Sequence, residues 1–208
     1  MGNARWYAAR SFCFLALLSS AGSGSAQTQR TTFDILKGDD VVGSIAASCS
    51  GVGDRTLYVM TSFSTLDLVW KQVVNTAVVT EYDTGVLRSC RASVHVNGSV
   101  RDSSNMVPEG DGHLCYVHPK GGFHREQAPS WTTARMYFEE PVGQEHIFVE
   151  SVLEPCAIRS SSPGTYHLTF PNGAENRYVY QEGKLQEIHV DRTFLDLVFR
   201  RRSDVDPR

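Results

Sequence analysis

Apolar and polar residues alternate with a period of two along most of this chain, and that pattern predicts strand after strand with little that is helical. Thr32-Phe33-Asp34-Ile35-Leu36 alternates, Lys37 to Asp40 turn, and Val41-Val42-Gly43-Ser44-Ile45-Ala46 continues. Gly51-Val52-Gly53-Asp54 is the next turn, ahead of a strand over 56–63. Residues 66–82 form a long β-branched run with Val73, Val74, Val78 and Val79, interrupted at Lys71-Gln72 and Asn75-Thr76. Such residues suit a pleated, half-buried surface. Asp83-Thr84-Gly85 turns into a strand over 86–96, and Asn97-Gly98 is the strongest two-residue hairpin signal in the chain. The polar stretch 103–112 reads as a loop.

The pattern is clearest near the C-terminus. Strands over 165–170, 176–181, 184–190 and 193–200 are separated by Pro171-Asn172-Gly173, Glu182-Gly183 and Asp191-Arg192. Tyr166, Leu168 and Phe170 share one face, as do Tyr178 and Tyr180, and Leu195, Leu197 and Phe199. His167, Thr169, Arg177 and Asp196 occupy the opposite, solvated face. Residues 128–138 fit either a short helical turn after Pro129 or a strand. The strand fits better, because Tyr137-Phe138 runs straight into Glu139-Glu140-Pro141. The predicted fold is therefore mainly β: one curved antiparallel sheet, or a partly closed half-barrel, in an up-and-down meander. No internal repeat or linker divides residues 27–208, which are expected to form one domain.

The first 26 residues break the pattern. Arg5 and Arg10 precede the apolar run Phe12-Cys13-Phe14-Leu15-Ala16-Leu17-Leu18, and Gly24 and Ala26 precede a cut before Gln27. This is the layout of a secretory leader, with an apolar run short of the roughly 20 residues needed to span a bilayer. Export to the periplasm or the exterior is the expectation. No later run is long enough to cross a membrane as a helix. Of 20 Lys+Arg, two lie in the leader, which leaves 18 against 23 Asp+Glu, a balance of −5. Nucleic acid is disfavoured as a partner, since phosphates demand a basic stripe. Cys49, Cys90, Cys115 and Cys156 remain after cleavage, an even number that in an exported chain points towards two disulfides of open connectivity.

Two groups of motifs carry a resemblance. Phe33-x-Ile35 followed by Val42-Gly43-Ser44-Ile45 resembles the opening hairpin of exported bacterial β-rich proteins assigned to a domain of unknown function. Tyr137-Phe138-Glu139-Glu140-Pro141, Phe148-x-Glu150, Pro171-Asn172-Gly173 and Tyr178-x-Tyr180-x-x-Gly183-x-Leu185 resemble the second half of the same group. The resemblance implies a long-stranded, curved antiparallel sheet similar to lipoprotein-carrier half-barrels, and no activity. The chain departs from such carriers in having no long amphipathic helix to fill the sheet.

The candidate chemistry is sparse. His113-Leu114-Cys115-Tyr116-Val117-His118 sets imidazoles and a thiol at alternate positions, a zinc- or copper-compatible set, with His124 close behind. Glu139, Glu140, Glu150 and Glu154 supply carboxylates for a glycosidase-like pair. The chain after the leader has no GxSxG elbow, no phosphate-binding glycine loop and no EF-hand spacing. Trp131, Tyr137, Tyr166, Tyr178 and Tyr180 would line the concave face of a curled sheet. These features point first to an extracytoplasmic binding or envelope-associated protein without its own cofactor, holding an apolar small molecule or lipid. The alternative is a metal-dependent or carboxylate hydrolase built on His113, Cys115 and His118 or on Glu139 and Glu150. A surface protein that offers a sheet edge to a protein partner is a third.

Overall fold

The computed structural model describes residues 27–67, 70–192 and 195–203. The expected leader lies outside them, as does Phe194. Fourteen strands occur among the described residues: β1 (Gln27–Lys37), β2 (Asp40–Val52), β3 (Arg55–Asp67), β4 (Lys71–Asp83), β5 (Val86–Val96), β6 (Ser99–Glu109) and β7 (Gly112–His118), then β8 (Gly121–Arg125), β9 (His146–Val149), β10 (Glu154–Ser162), β11 (Thr165–Thr169), β12 (Glu175–Gln181), β13 (Lys184–Arg192) and β14 (Leu195–Arg201). All pair antiparallel in the order β8-β7-β6-β5-β4-β3-β2-β1-β14-β13-β12-β11-β10-β9. The first and last strands thus meet in the middle of the sheet, with Phe33 opposite Arg201 and Ile35 opposite Phe199.

The hairpins form where the turn chemistry allows a left-handed backbone. Thr84-Gly85, Asn97-Gly98 and Glu182-Gly183 all have positive φ at both residues, the backbone of a turn whose twist matches its strands. Gly43, the glycine of the opening hairpin motif, has another cause. A Cβ there would collide with the Phe63 carbonyl oxygen and lie 2.7 Å from Ser64 Cα, so β2 and β3 can approach only with glycine at this point.

The sheet curls until its two ends face a shared interior, although the edge strands β8 and β9 do not pair with each other. Ser104 on β6 donates to the Glu150 carbonyl, and Arg125 on β8 donates to the Leu153 carbonyl at 2.9 Å. One core cluster gathers Phe33, Ile45, Ile147, Tyr166, Leu168, Tyr180 and Ile188; the other gathers Tyr82, Leu87, Met106, Phe148 and Leu153. Met60 and Phe138 pack against both. Each fully buried aliphatic or aromatic side chain contributes about 1.5–3 kcal/mol from water exclusion.

Three local expectations change. Residues 66–82 divide between the end of β3 and all but the last residue of β4. The polar stretch 103–112 is mostly strand: β6 runs to Glu109, and Gly110-Asp111 is the turn. Its serines tolerate the sheet because β5 and β7 flank β6 and satisfy its backbone. Residues 128–138 hold no named strand. Thr132 makes a single parallel bridge to Phe148, and Arg135–Tyr137 is a 3₁₀ turn whose Met136 and Tyr137 sit in the interior. This segment packs against the inner face of the sheet as a plug.

Candidate functional site

The plug is pinned by its own charges. Arg135 donates to Glu139 Oε2 from Nε at 2.9 Å and from Nη2 at 2.6 Å, the i,i+4 spacing of a helical turn. Glu139 Oε1 accepts from the Tyr58 hydroxyl at 2.7 Å. The Arg135 guanidinium also lies 4.2 Å from the centre of the half-buried Trp131 ring, a cation–π contact. Burial, then the bond to Glu139, pushes the Tyr58 phenol well above its usual range, so it stays a donor. Cys49 stands opposite Tyr58 on β2, and burial raises its thiol above the usual range.

Beside this cluster lies a cavity of about 370 Å³. Its floor is Tyr137 and Phe138 from the plug, and its walls carry Gln29, Thr31 and three cations, Arg30, Lys184 and Arg201. Among the described residues, no carboxylate lines it. Thr31 is only 4% exposed, and its hydroxyl finds no partner. A buried hydroxyl without a hydrogen bond costs about 1–3 kcal/mol, which a bound acceptor would recover. Alternation along β1 sets Thr31 on the same inward face as Phe33, and the β1–β14 pairing brings Arg201 across from Phe33.

Deeper in the plug, Glu150 is 1% exposed. Its carboxyl pairs with the Thr133 hydroxyl and accepts from the Ala134 N–H at 2.9 Å. Burial lifts its pKa above the usual carboxylate range, and the bonds from Thr133 and Ala134 only partly oppose that. Glu139 and Glu150, the paired carboxylates of the hydrolase alternative, are thus both engaged by donors of the plug. Glu140 accepts from the Tyr166 hydroxyl at 2.8 Å.

Of the five aromatic residues expected on the concave face, Tyr166, Tyr178 and Tyr180 lie on the inner face of strands β11 and β12, whereas Trp131 and Tyr137 belong to the plug that packs against them. Tyr137 packs edge-on against Phe33, with ring centres 5.4 Å apart, and Tyr166 packs the same way against Tyr180 at 5.7 Å. The Tyr180 hydroxyl donates to the Met136 carbonyl at 2.7 Å. Tyr178 is buried in the same cluster, where burial pushes its hydroxyl up to about 12.

His113 and Cys115 share the inward face of β7, whereas His118 is exposed on the other. No three His, Cys, Asp or Glu side chains converge to hold a metal among the described residues. Cys49, Cys90, Cys115 and Cys156 are all free thiols, which corrects the expectation of two bridges. Their strands explain it. Cys90 and Cys115 both face Met106 from opposite sides, two strand spacings apart, or roughly 9–10 Å, beyond the Cα reach of a disulfide.

The mouth residues escaped sequence reasoning. Thr31, Lys184 and Arg201 become neighbours only through the pairing of the two terminal strands, which leaves no local signature. The Arg135–Glu139 spacing was visible, but it points to the plug only if that stretch is read as helical.

A curled antiparallel sheet with an internal plug defines a β-barrel-like protein. More narrowly, this chain belongs to the family described as Domain of unknown function (DUF6134), which it matches over residues 33–202. Among solved structures it is similar to the beta-barrel-like protein of Domain of Unknown Function DUF1849 from Brucella abortus, with 10% identity, a TM-score of 0.56, and coverage of 84% of this chain and 95% of that one. No curated protein matches.

Proposed function

We propose that this is an exported binding protein that takes a small anionic amphiphile in the cavity at the mouth of the curled sheet. The observation that carries the reading is the pairing of an orphaned, buried Thr31 hydroxyl with Arg30 and Lys184, and with no carboxylate among the described residues, around one apolar-floored cavity. The plug occupies the rest of the concave face, so the apolar part of the ligand is short and rests on Tyr137 and Phe138. Its carboxylate or phosphate accepts from Thr31 and meets Lys184 and Arg30. A polar anchor over an apolar floor is the usual composition of a small-molecule site. Export, expected from the leader, would give the protein access to envelope lipids and their breakdown products.

Calorimetric titration of the protein with decanoate and with decanol tests this. Decanoate is expected to bind at least tenfold more tightly, and both Thr31→Val and Lys184→Glu to weaken it. Equal binding of the alcohol, or no binding of either, would overturn the reading.

A further inference from the structure

Three side chains on the outer face of the sheet stand in the order of a nucleophile, a base and the group that orients it. Ser161 Oγ lies 3.1 Å from His167 Nε2, and His167 Nδ1 lies 2.6 Å from Glu175 Oε1. The three come from neighbouring strands, β10, β11 and β12. A bulge between Ser160 and Ser162 supplies Ser161 as the extra residue, and bulges commonly re-aim a side chain beside a functional site. Because the Glu175 carboxylate accepts from Nδ1–H, Nε2 is left as the acceptor and the Ser161 hydroxyl donates to it. The other Glu175 oxygen accepts from Arg159 at 2.6 Å. Arg159 first, then His167, holds the Glu175 carboxyl below the usual range, so it is ionised at neutral pH.

The surroundings supply room and charge. His167 and Glu175 line an open cleft of about 1180 Å³ that also holds Arg177, Arg192, Asp191 and Asp196, and Ser161 stands just outside that lining, on the Nε2 side of His167. Arg177 sits directly opposite His167 in the β11–β12 register, and its side chain makes no hydrogen bond or ion pair among the described residues. Its guanidinium is therefore available to a substrate anion or to a developing oxyanion. Arg192, by contrast, is spent on the Glu175 and Asp191 carbonyls and on Asn176.

We propose that Ser161, His167 and Glu175 form a hydrolytic triad for small anionic esters whose acid end reaches Arg177 in the cleft while the ester carbonyl lies at Ser161, on the exposed surface beside it. Ser161 Oγ attacks the ester carbonyl as its proton passes to His167 Nε2. The bond to the alcohol oxygen breaks, and His167 returns the proton to that alcohol. Water then attacks the acyl-serine, again through His167, to release the acid and restore the serine. This arrangement is the nucleophile–base–orienter logic of known triads, reached by cross-strand register rather than by a nucleophile elbow. The site lies on the opposite face from the mouth cavity and is independent of the binding reading.

The test combines covalent labelling with turnover. A fluorophosphonate probe is expected to modify the peptide carrying Ser161, and Ser161→Ala to abolish the adduct. His167→Asn should slow both labelling and hydrolysis of 4-nitrophenyl hemisuccinate about a hundredfold, the scale of a lost general base. These side chains face outward, and melting curves of the variants would verify that they fold. The proposal is overturned if no adduct maps to Ser161, or if His167→Asn labels at the wild-type rate.

Discussion

At the scale of single residues, Glu150, which follows β9 and holds the plug through Thr133 and Ala134, sets a pH dependence. The carboxyl is fully enclosed, and its pKa is raised by burial despite bonds to Thr133 and Ala134. A raised folded-state pKa means that the native state holds this proton more tightly than the unfolded chain does. Its stabilisation is therefore complete below the ordinary carboxylate pKa of about 4.5 and is lost as pH climbs through the raised value. Glu150→Gln keeps an acceptor for the Ala134 N–H and a donor for Thr133 but carries no charge. Denaturant melts should find it more stable than the wild type at pH 8 and nearly equal at pH 4. A uniform loss at both pH values would show that the charge is not what costs stability here. Glu150→Ala, which strands both partners and opens a void, is expected to lose about 2–4 kcal/mol throughout.

At the scale of elements, the plug is held less by secondary structure than by a few polar anchors, and Arg135 is the chief of them. It ties Glu139, and through it Tyr58, to the stacked Trp131 ring. Arg135→Ala should cost about 1.5–3 kcal/mol, the worth of hydrogen bonds to a charged group. It should also raise Trp131 fluorescence quenching by added iodide as the ring is uncovered. Arg135→Lys should restore only part of the loss, because an ammonium cannot lie flat on the ring and still donate to Glu139 from two nitrogens. If alanine leaves both stability and quenching unchanged, the anchor is ornamental.

The same element marks where sequence reading stops. The hairpins at Thr84-Gly85, Asn97-Gly98 and Glu182-Gly183 were legible because turn chemistry and alternation act over a few residues. The plug was not: its Tyr137-Phe138-Glu139 has strand-like composition, and only contacts with β1, β3 and β12 select the 3₁₀ turn. The cysteines were misjudged because their number was readable, whereas the strand separations that keep them apart were not. Of the candidate site, the aromatic floor residue Tyr137 was named in advance. Thr31, Lys184 and Arg201 were not, since they meet only when the terminal strands pair.

At the scale of the whole molecule, the pairing of β1 with β14 is the join on which the open sheet depends. β14 lies between β1 and β13, so it joins the ladder β1–β8 to the ladder β9–β13. It also contributes Leu197 and Phe199 to the core, and just beyond it the Arg202 N–H donates to the Thr32 carbonyl at 2.9 Å. Without β14, β1 and β13 would each expose a row of unpaired backbone groups, and the plug would lose one wall. Met60 and Phe138 couple the two core clusters, so the intact protein should unfold in a single transition seen alike by tryptophan fluorescence and by far-ultraviolet circular dichroism. A chain ending at residue 194 should give no cooperative melt and should be digested by protease throughout, β2–β8 included, even though that ladder keeps every one of its own pairings. Survival of a protease-resistant fragment covering β2–β8 would mean instead that the N-terminal ladder folds on its own. The pairing of the chain ends would then serve chiefly to build the mouth, where Arg201 faces Thr31 and Lys184.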